Sequence, residues 1–187
     1  MINYIFDKEL IVIMAEETES NIGEKLPLIV GNDLEKKEVR LPKSAEGHVT
    51  LVVLVSERSA QTMVDSWIYY FEKELCSAKG YMYYEVPLIS GAWGKFFSGV
   101  IDGGMRAGIP SEKHHNVMTF YGDYGKIYKD LNIMDKDIAH PLLLDTKGVI
   151  RWRAKGYSDI GKIKEMIDMA RKLNEEASGV SSNKGCV

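Results

Sequence analysis

The sequence predicts an α/β fold in which a mixed central sheet carries helices on both faces. Three observations lead there. His48 to Val55 (HVTLVVLV) is a nearly continuous β-branched run, the pattern of a strand buried on both faces. Ser59 to Lys79 then places Val64, Trp67, Ile68, Phe71 and Leu75 at helical spacing, and Tyr81 to Ile89 (YMYYEVPLI) returns to an aromatic, β-branched strand pattern. Further on, Pro141 to Leu144, the turn Asp145-Thr146-Lys147-Gly148 and Val149 to Ala154 read as a β-hairpin, with Gly148 supplying positive φ. Long helical crossovers permit parallel pairing, and the hairpin adds antiparallel strands.

The other elements fit around these. Leu26 to Val30 and Lys37 to Leu41 form a small leading hairpin, and Gly80 is expected to stop the first helix. Trp93, Phe96, Phe97, Val100 and Ile101 have the spacing of a second helix, which Gly103 and Gly104 weaken and Pro110 closes. Val117 to Tyr121 is a short strand, and Asp123 can cap a short helix holding Tyr124, Ile127, Tyr128 and Leu131. Ser158 or Asp159 caps a last helix with Ile160, Ile163, Ile167, Ala170 and Leu173 on its buried stripe. Residues 1–21 are expected to be an N-terminal extension, 22–175 a single domain, and 176–187 a polar, frayed tail.

Composition excludes several classes. The 187 residues are 45% hydrophobic and 27% charged, with a net charge of −3, so the broad basic footprint of a non-specific nucleic-acid binder is absent. Two cysteines, Cys76 and Cys186, give no disulfide framework and no Cys-x-x-Cys pair, which fits a reducing compartment and a cytoplasmic location. Asp7, Lys8 and Glu9 break the apolar N-terminal stretch, and the run Leu10 to Ala15 is too short to span a bilayer. No secretory signal is expected, and peripheral association with a membrane stays open. Cys186, two positions from the end, is read as an exposed thiol of the tail.

Certain segments resemble the thioredoxin-like superfamily in its peroxiredoxin-type elaboration. Gly23-Glu24-Lys25-Leu26-Pro27 resembles its Gly-x-x-[Leu/Ala]-Pro opening, YGDYGKIYKDLNI (Tyr121 to Ile133) its strand-Asp-helix stretch, and HPLLLDTKGVIRW (His140 to Trp152) its proline-led hairpin. The resemblance implies a thioredoxin-like three-layer sandwich and a cis bond at His140-Pro141. A narrower resemblance, carried by Trp67 and Phe71 in helix one, VPLISGAW, the GIP and His114 segment, and GVIRWRAKGY, is to the Atp10 family. That family implies a thioredoxin-like protein without the redox pair, acting as an assembly factor or chaperone for the membrane sector of ATP synthase.

The junction where the first long strand meets its helix would hold the reactive cysteine of a thioredoxin-like enzyme. Here it reads Ser56-Glu57-Arg58-Ser59-Ala60, with no cysteine. A helix N-terminus would suit a thiolate, but Cys76 lies late in the same helix, beside Glu72 and Glu74. The leading expectation is therefore a non-redox protein that binds a peptide or partner protein at the former active-site face, through Glu57, Arg58, Ser59, His140, Pro141 and Trp93. The alternative is a peroxiredoxin-like or thiol-disulfide oxidoreductase using Cys76. A third reading is a small-molecule or anion binder at the first helix N-terminus, where Arg58 and backbone N–H groups could converge. Against it stands a plain N-cap at Ser59 with Arg58 in solvent.

His140 either faces the former active site, with Glu57 as a general base near it, or is a partly exposed loop histidine. His114, His115 and Glu112 are too few and too divergent for a metal, so no metal and no cofactor are expected. Gly99 to Gly108 matches neither phosphate-binding glycine pattern, while Trp93 and Arg106 could shape a groove beside the site. Nothing in the sequence fixes an oligomeric state.

Overall fold

A computed structural model describes residues 20–90, 101 and 103–179. The strands are β1 (Ile29–Asp33), β2 (Glu38–Leu41), β3 (Val49–Val55), β4 (Tyr81–Ile89), β5 (Met118–Tyr121), β6 (His140–Leu144) and β7 (Ile150–Arg153). The helices are α1 (Gln61–Leu75), a helical run over 103–108, α2 (Gly125–Asp130) and α3 (Ile160–Ala177). All seven strands join one mixed sheet in the order β2-β1-β5-β4-β3-β6-β7.

All seven side chains of β3 are buried, and the strand sits between β4, parallel, and β6, antiparallel. The alternation of a strand sends Val52 and Leu54 to one face and Leu51, Val53 and Val55 to the other. On the first face they meet Val86, Leu142, Ile127 and Tyr128 beneath α2. On the second they meet Val64, Trp67, Phe71, Met166 and Ala170 of α1 and α3. The expected stripe of α1 is the observed one: Val64, Trp67, Ile68, Phe71 and Leu75 are its buried residues. The Trp67 indole N–H donates to the Gly156 carbonyl at 2.8 Å, and its ring meets Trp152 edge-on at 5.6 Å.

Four local expectations are corrected. The first helix starts at Gln61 with Ala60 as its N-cap, because Arg58–Ala60 form a single 3-10 turn, so Ser59 is not the cap. Its end comes at Cys76, whose N–H bonds the Glu72 carbonyl, and Gly80 is instead the positive-φ turn into β4. Asp159 caps α3 by accepting from the Lys162 N–H at 2.9 Å, but Ile160 at the first helical position is 88% exposed. Met166 lies in the core in its place, since the first turn of α3 overhangs the sheet. The bond at His140-Pro141 is trans. Pro141 continues β6 in regular register opposite Val53, and the cis bond among the described residues is Leu41-Pro42, after β2. The second expected helix is seen from its last turns, and Trp93, Phe96, Phe97 and Val100 lie outside the described residues, as does Cys186.

One edge of the sheet is covered and the other is short. Residues 23–26 run along β7, with Gly23 N–H to Ile150 O at 2.8 Å, Ile150 N–H to Glu24 O at 2.9 Å and Leu26 N–H to Gly148 O at 3.0 Å. At β2, the Arg40 N–H donates to the Ser44 hydroxyl at 2.9 Å, and the strand is only four residues long. Such edges offer little to an incoming strand.

The β1–β5 pairing depends on Gly31, where a Cβ would run into the Thr119 carbonyl. Gly31→Ala should therefore destabilise the protein by about 1–3 kcal/mol, the usual range for overpacking a tight site. Urea unfolding checks this, and a midpoint equal to wild type would show that β1 can move away freely.

Candidate functional site at the end of the central strand

The site grows from the C-terminal end of β3. Ser56 and Glu57 continue the extended chain, the turn Arg58–Ala60 redirects it, and α1 leaves across the sheet. The junction is tied down on the α2 face. Ser56 donates its hydroxyl proton to the Lys136 carbonyl at 2.7 Å and accepts from the Tyr128 hydroxyl at 3.0 Å. Burial, above all, pushes the Tyr128 hydroxyl up to about 12. The Nε2–H of His140 donates to the Asp135 carbonyl at 2.6 Å, and its ring meets Tyr128 edge-on at 5.9 Å. His140 is only 2% exposed, so it is neither a loop histidine nor a group at the surface.

On the opposite face, between α1 and the helical run at 103–108, lies a cavity of about 930 Å³. Alternation in β4 aims Tyr83, Glu85, Pro87 and Ile89 at it, while Tyr84, Val86 and Leu88 pack in the core on the α2 side. Glu57, Arg58, Gln61 and Asp65 line its α1 side, and Met105, Ile109 and Lys113 its other wall. Its volume is at the upper end of the ~300–1,000 Å³ typical of ligand pockets.

Of the residues the sequence singles out, the structure brings Glu57 and Arg58 together at this cavity. Ser59 is exposed beside it, outside the lining residues. His140 faces α2 on the other side of the sheet, and Pro141 is buried in β6. Trp93 lies outside the described residues. Arg106 donates its Nε–H to the Leu34 carbonyl at 2.9 Å, which ties the 103–108 helix to the end of β1. His114 is buried with Nε2–H on the Ile109 carbonyl at 2.9 Å, and no group of three metal-ligating side chains occurs among the described residues.

Cys76, the alternative, is half-buried at the far end of α1. Burial pushes its thiol up to about 11, the Glu72 charge adds to this, and Lys113 opposes it weakly. A nucleophilic thiol needs the opposite shift.

The residue missed from the sequence is Glu85. It is 8% exposed and sits in the middle of β4, next to Val53 across one ladder and Val117 across the other. Burial pushes its carboxyl up to about 6; the Gln61 side chain beside it opposes that rise, and the Asp65 charge adds to it. The Gln61 amide itself donates its Nε2–H to Asp65 Oδ1 at 3.1 Å. Lys113 is committed elsewhere, its ammonium 2.6 Å from the Glu72 carboxylate. Among the described residues no cation pairs with Glu85.

The fold and this junction define a thioredoxin-like protein whose strand-to-helix turn carries Ser56-Glu57-Arg58-Ser59. Similar solved structures include the thioredoxin domain of a thiol-disulfide oxidoreductase from Bacteroides vulgatus (19% identity, 81% of this chain and 96% of that one, TM-score 0.54). Others are a thiol:disulfide interchange protein from a Bacteroides species (18%, 87% and 94%, 0.53) and an exposed lipoprotein thioredoxin from Streptococcus pneumoniae (12%, 76% and 98%, 0.52). At these identities the likeness is one of fold. The sequence profile described as ATP10 protein matches residues 21–173, and the chain belongs to that family. Among curated proteins none matches. No helix among the described residues is long and apolar enough to cross a membrane.

A carboxyl held above its ordinary 4.5 keeps its proton more tightly in the folded chain than in the unfolded one. Its ionisation therefore costs stability. The cost is absent below 4.5, grows towards about 6, and is complete at neutral pH. Glu85→Gln should raise stability at pH 7 by up to ~2 kcal/mol and leave it unchanged at pH 4. Paired denaturant titrations read this directly, and a variant no more stable than wild type at pH 7 would remove the burial penalty assigned to Glu85.

Proposed function

We propose that this protein is a non-redox, thioredoxin-like assembly factor that binds a partner polypeptide at the β3–α1 face. The observation that carries the reading is the cysteine-free junction opening onto a large cavity, with Glu57 and Arg58 at its mouth. The family supports it, since the Atp10 resemblance implies assembly of the membrane sector of ATP synthase. Residues 22–175 act as the binding unit, a reading supported by the family match over 21–173. The covered β7 edge and the short β2 edge favour docking in the cavity over strand addition. With no thiol at the junction and an inert one at Cys76, the protein works without redox chemistry or a cofactor, from the cytoplasm and at most peripherally on the membrane.

Two measurements test this. Insulin-disulfide and peroxide reduction should run at the uncatalysed rate for wild type and Cys76→Ser alike. A rate that Cys76→Ser abolishes would make the protein a one-cysteine redox enzyme instead. In cells, a photo-crosslinking residue at position 58 should give an adduct with an ATP synthase membrane-sector subunit that the same residue at position 172, on the outer side of α3, does not. Equal adducts from both positions, or none from position 58, would remove the β3–α1 face as the docking site.

A further inference from the structure

The cavity carries more information than its position. Its walls are largely apolar, with Ile68, Ile89, Met105 and Ile109 among them, yet its floor holds a carboxylate at Glu85. The side chain is more than nine-tenths buried and is aimed into the space by the alternation of β4. Beside it stands an amide, Gln61, whose Nε2–H donates to Asp65 Oδ1 at 3.1 Å, and among the described residues Glu85 has no ion-pair partner. Asp65 and Glu57 line the same cavity with the same sign, and Arg58, exposed at its rim, carries the opposite one. Lys113 on the facing wall is held by Glu72. What fits such a space is a group with a long apolar stem and a positive head, which is the shape of a lysine or arginine side chain.

We propose that the cavity receives a basic side chain of the partner polypeptide, its aliphatic stem along the apolar walls and its cationic head on the Glu85 carboxylate. The proposal rests on the polypeptide-binding reading above and names the chemistry that site selects. Gln61 holds Asp65 beside the carboxylate, and Glu85, Asp65 and Glu57 outnumber Arg58 in the lining, so the cavity attracts a cation. Charge-assisted hydrogen bonds formed out of water are the strong ones. Because the carboxylate must be ionised to receive the cation, binding should weaken as the pH falls through about 6. The charged and titratable groups that share the cavity with Glu85 are Glu57 and Arg58 of the junction, Asp65 of α1 with Gln61 bonded to it, Tyr83 of β4, and Lys113 with its partner Glu72.

The test uses the full chain, fluorescently labelled, on an array of random twelve-residue peptides at pH 7.5 and pH 5. Bound peptides should be enriched in Lys and Arg at pH 7.5. Replacing that residue by Gln should cost roughly tenfold or more in affinity, the range for a hydrogen bond to a charged group. Glu85→Gln should lose the enrichment and bind the basic and Gln peptides equally, while Glu85→Asp, which keeps the charge, should keep part of the preference. Circular dichroism on each variant separates a lost site from a lost fold. Peptide binding without a basic preference, or a preference that Glu85→Gln leaves intact, overturns this proposal and leaves the polypeptide-binding reading standing. No peptide binding at all overturns both. A further arm uses Lys95→Gln, because that lysine of the chain's own 91–100 segment lies outside the described residues. If wild type shows no basic preference and Lys95→Gln gains one, the cation is internal and the proposal falls.

Discussion

The burial of β3 on both faces is the constraint on which the rest depends. Seven consecutive side chains, Val49 to Val55, have no access to solvent to speak of. Such a strand is stable only between two neighbours and under two layers, because its backbone needs partners on both sides and its side chains need cover above and below. Parallel β4 and antiparallel β6 meet the first need. α1 with α3, and α2 with the β1–β2 hairpin, meet the second. The junction and the cavity both sit where this buried strand ends and the chain has to leave the sheet.

That exit divides the junction into two surfaces of different character. Towards α2 it is closed: the Tyr128 hydroxyl donates to Ser56, which donates to the Lys136 carbonyl, while His140 donates to the Asp135 carbonyl and lays its ring edge-on to Tyr128. Towards α1 it is open, with Glu57 and Arg58 at the rim of a cavity whose floor is β4. The polar clamp holds the end of β3 rigidly, so the open side has a fixed rim. The sheet edges are blunted at the same time, by residues 23–26 at β7 and by Ser44 at β2. Among the described residues, a partner approaching the α1 side meets a concave surface, and the exposed sheet edge it could pair with, β2, is only four residues long.

Much of this was legible in the sequence where a pattern has only one structural solution. The run HVTLVVLV can only be a strand with both faces covered, and the five apolar residues of α1 can only form one stripe. Where a pattern has several solutions the reading failed for identifiable reasons. Helical spacing includes Ile160 in the α3 stripe, but spacing does not say where the sheet beneath the helix stops. Gly80 is placed to end a helix and equally to begin a strand, and its carbonyl, accepting from the Val49 N–H at 2.8 Å, belongs to the strand side. The resemblance places His140 and Pro141 at the junction through an expected cis bond, yet the bond is trans, alternation in β6 turns the imidazole to the α2 face, and Pro141 stays in the core. Glu85 was passed over because YMYYEVPLI reads as a strand whichever way it faces. Only the packing of α1 and the 103–108 helix shows that its odd-numbered side chains surround a space.

Glu85 is also where local preference and structure disagree most. Its ladder neighbours Val53 and Val117 are what a sheet interior ordinarily holds, and an aliphatic residue in its place would add to the core without any cost of burying charge. The carboxylate forms no ion pair with a described residue and its burial is costly, so the fold gains little from it. A thioredoxin-like chain with a reactive cysteine has an evident reason to tolerate strain at its strand-to-helix junction; this chain has no cysteine there. The departure from what folding alone would favour lies one strand over from the turn at Glu57 and Arg58, on the floor of the cavity beside it. Departures of this kind concentrate where a protein meets its ligand, and among the described residues this negative charge is buried without an ion-pair partner.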